Sequence, residues 1–152
     1  MGDFLVQRAH IRARWSEISD KFNVPTHLFD HQADTISLVL SKEHLMAALP
    51  TGSGKTLPQL AGVLFTEGLA LVIPPLITIE KQMCDVCEQW NIEYLNLSSL
   101  SDPKDIEVEI EVKKPHIIIA SIEKISDALV QKALMNVKFE YISVDEAQVK
   151  SY

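Results

Sequence analysis

Leu49-Pro50-Thr51-Gly52-Ser53-Gly54-Lys55-Thr56 is the stretch from which the fold can be read. Gly52 and Gly54 let backbone N–H groups converge on phosphate oxygens with no side chain in the way. The stretch follows an apolar run at 44–49 and opens a helical pattern at 55–65. That strand–loop–helix setting distinguishes a phosphate-binding loop from a Gly-rich turn. A helix starting near Lys55 presents unpaired N–H groups and a positive dipole end to the same anion. The Lys55 ammonium is placed to reach the β and γ phosphates, and the Thr56 hydroxyl suits a ligand of Mg²⁺. The general pattern has glycine at its first position, where this chain has Leu49. The expected ligand is a nucleoside triphosphate such as ATP, with Mg²⁺.

Outward from the loop, short apolar runs alternate with amphipathic stretches. The runs at 44–49, 69–73, 92–97, 116–120 and 141–144 have the length of buried strands. Helices are expected at 55–65, 76–89 and 123–135, and residues 98–115 are ambiguous. Asp102-Pro103 suits a helix start, yet Ile106, Val108, Ile110 and Val112 alternate as in a strand. This order predicts an α/β fold, a parallel sheet with helices on both faces. Before it, residues 3–22 read as a helix with Phe4, Leu5, Ile11, Trp15, Ile18 and Phe22 near helical spacing. Asn23-Val24-Pro25-Thr26 interrupts that pattern, and a second helix is expected at 30–41. The division expected is a helical extension at 1–27 and a nucleotide-binding domain at 28–152.

Val144-Asp145-Glu146-Ala147-Gln148 follows the last apolar run. Acidic residues at the C-terminal end of a strand lie where doubly wound sheets bind ligands. Asp145 suits Mg²⁺, usually through water, and Glu146 suits the orientation and deprotonation of an attacking water. Phosphoryl transfer is largely positioning and charge neutralisation, so a lysine, a magnesium and a carboxylate form a workable minimum.

The 152 residues are 47% apolar and 23% charged, the composition of a globular chain with a real core. No apolar run is long enough to span a membrane, and the start lacks a signal-peptide series. With two cysteines, this points to a reducing compartment, the nucleus or cytoplasm. A net charge of −7 argues against strong non-specific nucleic-acid binding by these residues alone. Cys84-Asp85-Val86-Cys87 has no second cysteine pair to complete a metal site, and reads as two buried thiols on a helix. The five histidines form no ligand spacing. Arg8, Arg12 and Arg14 are expected on a solvated helix face.

Together, Pro50-Thr51-Gly52-Ser53-Gly54-Lys55-Thr56 and Asp145-Glu146-Ala147-Gln148 resemble motifs I and II of superfamily 2 helicases, and most of all the RecQ group of DNA helicases. Gln32 in Leu28-Phe29-Asp30-His31-Gln32 sits at the spacing of that family's adenine-reading glutamine. Pro74-Pro75-Leu76-Ile77-Thr78 is similar to motif Ia, and Ala120-Ser121-Ile122-Glu123-Lys124-Ile125 to motif Ib. The resemblance covers residues 28–148. Phe29 stands where the family commonly has arginine, Ile122 where motif Ib has proline, and Gln148 where the RecQ group has histidine.

The resemblance implies a RecA-like motor lobe of an ATP-dependent 3'-5' DNA helicase. It implies ATP contacts from Gln32, Pro50, Thr51, Gly52, Ser53, Gly54, Lys55 and Thr56, and Mg²⁺ at Thr56 and Asp145. Catalysis falls to Lys55 and Glu146, and coupling to nucleic acid to Gln148. DNA contacts, to single-stranded or partly duplex DNA, fall to Pro75, Leu76, Ser121 and Lys124. A second RecA-like lobe is the implied partner, supplying an arginine finger and the other wall of the ATP cleft. Since Tyr152 closely follows motif II, the expectation is a fragment that binds ATP weakly and unwinds nothing alone. The family's motif III strand lies between those leading into motifs I and II, so a central strand is expected to be missing. Two alternatives stand beside this reading: a nucleotide-binding or interaction module without catalysis, and a lobe of another superfamily 2 helicase acting on RNA.

Overall fold

The computed structural model describes residues 2–40, 56–74 and 77–144. Among these, four strands form one parallel sheet: β1 (Ala70–Ile73), β2 (Tyr94–Asn96), β3 (Ile117–Ile119) and β4 (Tyr141–Val144), in the order β2-β3-β1-β4. All four are expected runs: β4 has the expected bounds, β1 starts one residue later, and β2 and β3 are shortened at both ends. The expected strand at 44–49 lies outside the described residues. Among those described, β4 pairs with β1 alone.

Seven helices accompany the sheet among the described residues: α1 (Gly2–Lys21), α2 (Asp30–Leu40), α3 (Thr56–Ala61), α4 (Ile77–Gln89), α5 (Asp105–Lys113), α6 (Ile122–Ile125) and α7 (Ala128–Leu134). Strand periodicity separates two cores. Ala70, Val72, Ile117, Ile119 and Tyr141 face one side, with Ile11, Trp15 and Ile18 of α1, Ala33 and Ile36 of α2, Leu57 and Leu60 of α3, and Met83, Cys84 and Cys87 of α4. Leu71, Ile73, Leu95 and Ile118 face the other, with Ile106 of α5 and Val130 and Leu134 of α7. Each fully buried aliphatic contributes about 1.5–3 kcal/mol, so a sheet apolar on both faces needs both helical layers. The α/β fold with helices on both faces is the one expected.

Three local expectations are corrected or resolved. Residues 105–113 are helical: β2 and β3 are parallel neighbours, and such a pair needs a crossover. Ile106 and Ile110, one turn apart, supply the inward contacts, while Val108 and Val112 remain exposed. The single helix expected at 123–135 is two, because Asp127 is extended and its side chain accepts from the Leu129 N–H, capping α7. The helix expected at 55–65 is α3 followed by a 3₁₀ turn, Gly62–Phe65.

The arginine cluster is corrected in part: Arg12 is exposed, as expected, whereas Arg8 and Arg14 are half-buried. Arg8 and Arg12 pair with Asp30 and Asp34 of α2, and Arg14 donates to the Phe65 carbonyl. The cysteines are buried free thiols, as expected.

Candidate nucleotide site

The C-terminal ends of β1, β3 and β4 lie side by side. Val72 is level with Ile119 and Ser143, and Ile73 with Val144. Pro74 follows β1, Ala120 and Ser121 follow β3, and the chain passes from Val144 into Asp145. One end of the sheet therefore collects the segments leading to three of the four motifs. Thr56, the last residue of the fourth, opens α3, which packs against both α2 and α4.

Tyr141 joins α3 and the 3₁₀ turn after it to β4. Its hydroxyl donates to the Gln59 carbonyl at 2.6 Å and accepts from the Val63 N–H at 3.1 Å, both buried. These bonds fix the end of α3 to the strand that precedes Asp145-Glu146 in sequence. Gly62 makes the approach feasible, since a Cβ there would stand 3.2 Å from the Tyr141 oxygen. Sequence reading took Tyr141 only as a strand residue. The signal available was a polar-tipped aromatic in an otherwise apolar buried run, which needs a partner for its hydroxyl.

Gln32 is buried on α2, and its Oε1 accepts from the Phe29 N–H at 3.0 Å. This is the N3-to-N-cap half of a capping box, and it fixes the orientation of the carboxamide. A buried amide held in one orientation suits hydrogen-bond discrimination of a base. Phe29 is exposed, edge-on to His27 with centroids 4.4 Å apart and stacked with His31 at 5.7 Å.

Ser121 and Lys124 use their polar groups inside the fold. The buried Ser121 hydroxyl accepts from the Lys124 N–H at 3.2 Å, capping α6, and Lys124 Nζ donates to the Leu100 carbonyl at 3.1 Å. Pro50, Thr51, Gly52, Ser53, Gly54, Lys55, Pro75, Leu76, Asp145, Glu146 and Gln148 lie outside the described residues. Gln32 and Thr56, on packed helices, fit a nucleotide site by the chemistry of their donors and acceptors. Among the described residues no group of His, Cys, Asp or Glu side chains could hold a metal ion. Gln59 Oε1, both Glu80 carboxylate oxygens and Ser143 Oγ are buried without a hydrogen-bond partner among the described residues.

Residues 29–151 match the DEAD/DEAH box helicase family. The chain is 28% identical over 125 residues to ATP-dependent DNA helicase Q1 of Rattus norvegicus, covering 76% of this chain and 20% of that protein. It is 25% identical over 145 residues to ATP-dependent DNA helicase Q5 of Mus musculus, covering 87% and 14%. It is 28% identical over 119 residues to ATP-dependent DNA helicase RecQ of Pasteurella multocida (strain Pm70), covering 76% and 19%. The chain thus spans at most 20% of the length of these three relatives. With the family model covering most of its length, the chain belongs to the DEAD/DEAH box helicase family, and it resembles RecQ-type members.

Proposed function

We propose that this chain is the ATP-binding motor lobe of a RecQ-like 3'-5' DNA helicase, working in the nucleus or cytoplasm with a second RecA-like lobe. Family membership supports nucleotide binding. The observation that carries the finer reading is the convergence of motif-bearing segments at one end of the sheet, with α2 and α3 packed together.

In this reading the backbone of Pro50, Thr51, Gly52, Ser53 and Gly54 wraps the phosphates, and Lys55 neutralises the β and γ charges. Gln32 reads the adenine. Thr56 and Asp145 hold Mg²⁺, which offsets charge on the transferring phosphate. Glu146 orients the attacking water and takes its proton. Pro75 and Leu76 contact DNA backbone. Ser121 and Lys124 contribute through the turn they stabilise, since their side-chain groups are engaged within the fold. Gln148 links the site to the second lobe and the DNA.

Mg-ATP titration of the purified chain tests the assignment. Lys55→Ala is expected to reduce affinity at least about 10-fold, as loss of a charge-assisted phosphate contact implies. Glu146→Gln is expected to spare binding and abolish residual turnover. Binding untouched by Lys55→Ala would sink the loop assignment.

A further inference from the structure

The N-terminal helix takes no part in the site as described, yet it is fastened to α2, which carries Gln32, and to the 3₁₀ turn that continues α3. Arg8 donates through Nε and Nη2 to both carboxylate oxygens of Asp34, at 2.9 and 2.7 Å, and its Nη1 lies 3.6 Å from Asp30. Arg12 pairs with Asp30, and Ser37 donates to Gln7. The partners run in opposite order along the two helices, 7 with 37, 8 with 34, 12 with 30, so α1 and α2 are antiparallel. Arg8 and Arg12 are four residues apart, as are Asp30 and Asp34, which puts each pair on one helix face. On α1's other flank, Arg14 donates to the Phe65 carbonyl at 2.9 Å, with its guanidinium 5.4 Å from the Phe65 ring centroid. Trp15 stacks on the same ring at 6.1 Å.

Phe65 ends the 3₁₀ turn that continues α3, whose first residue is Thr56. α1 therefore grips the helix carrying Gln32 and, through Phe65, the 3₁₀ turn that continues the helix carrying Thr56. The exposed Arg12–Asp30 pair contributes little to stability. A two-pronged Arg–carboxylate bond such as Arg8–Asp34 fixes orientation as well. We propose that α1 is a strap setting the distance between base-reading and phosphate-gripping elements, with Arg8, Arg12 and Arg14 as positioning residues for adenine-nucleotide recognition. This rests on the nucleotide reading above.

The test measures affinity of the full chain for two probes, Mg-ATP and inorganic tripolyphosphate, which carries no base. Arg8→Gln and Asp34→Asn are each expected to weaken Mg-ATP by about 5- to 10-fold, the range of a modest coupling between sites. Tripolyphosphate affinity should stay within about 2-fold, because the phosphate loop itself is untouched. The paired exchange Arg8→Asp with Asp34→Arg should recover most of the Mg-ATP affinity. Arg8→Lys, which keeps the charge but loses the fork, should recover it only in part. A merely structural role would weaken both probes together, and that outcome overturns the proposal. Unchanged Mg-ATP affinity in both single variants also overturns it. Lys55→Ala separates the two layers. If it abolishes binding of both probes while the arginine variants bind normally, the strap fails and the nucleotide site stands. If Lys55→Ala changes neither probe, the nucleotide reading fails and takes the strap with it.

Discussion

Cys84 and Cys87 lie one turn apart on the inner face of α4, with no other cysteine in the chain. Burial pushes the Cys84 thiol up to about 11 and the Cys87 thiol up to about 12, and acidic neighbours such as Glu80 and Glu88 add to it. Each thiol is thus held neutral in the fold, against an ordinary value of 9.0. The unfolded chain releases these protons first as pH rises, so stability is lost from about pH 9 upward until the folded thiols also titrate. At pH 8 both thiols are expected to resist iodoacetamide in the native chain and react fully in denaturant. Labelling of either cysteine at pH 8 at the rate of a free thiol would contradict their burial. Helical spacing was enough to read these residues correctly. Arg12 is exposed as expected, but the half-buried Arg8 and Arg14 depart from the expected solvated face because sequence shows charge but not its partner. The clue was the matching four-residue spacing of Asp30 and Asp34. Gln32 was legible as a candidate base reader only through the family resemblance, which places an adenine-reading glutamine at that spacing from Lys55. Its bond to the Phe29 N–H was legible only as a capping pattern.

At the scale of elements, apolar runs located four of the strands well because both faces of this sheet are buried. Helices were harder where pattern and context disagreed. The alternation at 106–112 suits a strand, but parallel β2 and β3 demand a crossover, and tertiary context overrides the local period. The break between α6 and α7 had a signal in Ser126-Asp127, since aspartate caps helix starts more often than it continues helices. The Tyr141 clamp had no linear signal for its partners, which lie 82 and 78 residues away. Tyr141→Phe keeps the ring but leaves the buried Val63 N–H without this acceptor and the Gln59 carbonyl without this donor. The expected cost is about 1–3 kcal/mol, read as a lower urea midpoint with an unchanged slope. A change under about 0.3 kcal/mol would show that the clamp carries no tension between α3 and β4.

For the molecule as a whole, the expected division at residue 27 has to be set beside the packing. Ile11, Trp15 and Ile18 of α1 share one buried cluster with Ala70, Val72, Ile117 and Ile119 of the sheet. Polar ties reinforce this: Trp15 Nε1 donates to the Pro25 carbonyl at 3.1 Å, and the Asn23 N–H to the Trp90 carbonyl at 3.0 Å. A helix sharing the sheet's core unfolds with it, whereas an appended helix melts first. The two tryptophans report on both ends of this contact, Trp15 within α1 and Trp90 just beyond α4. Urea unfolding followed by fluorescence, which samples these tryptophans, and by far-ultraviolet circular dichroism, which samples every helix, is therefore expected to give one midpoint. Trp15→Ala should move both signals together, by about 3–5 kcal/mol for a large buried aromatic. An early fluorescence step that leaves most of the dichroism intact would instead make α1 a separate unit. Such a unit would be too weakly coupled to fix the spacing of the nucleotide-site helices, so this melting curve also bears on whether the strap has the rigidity its role requires.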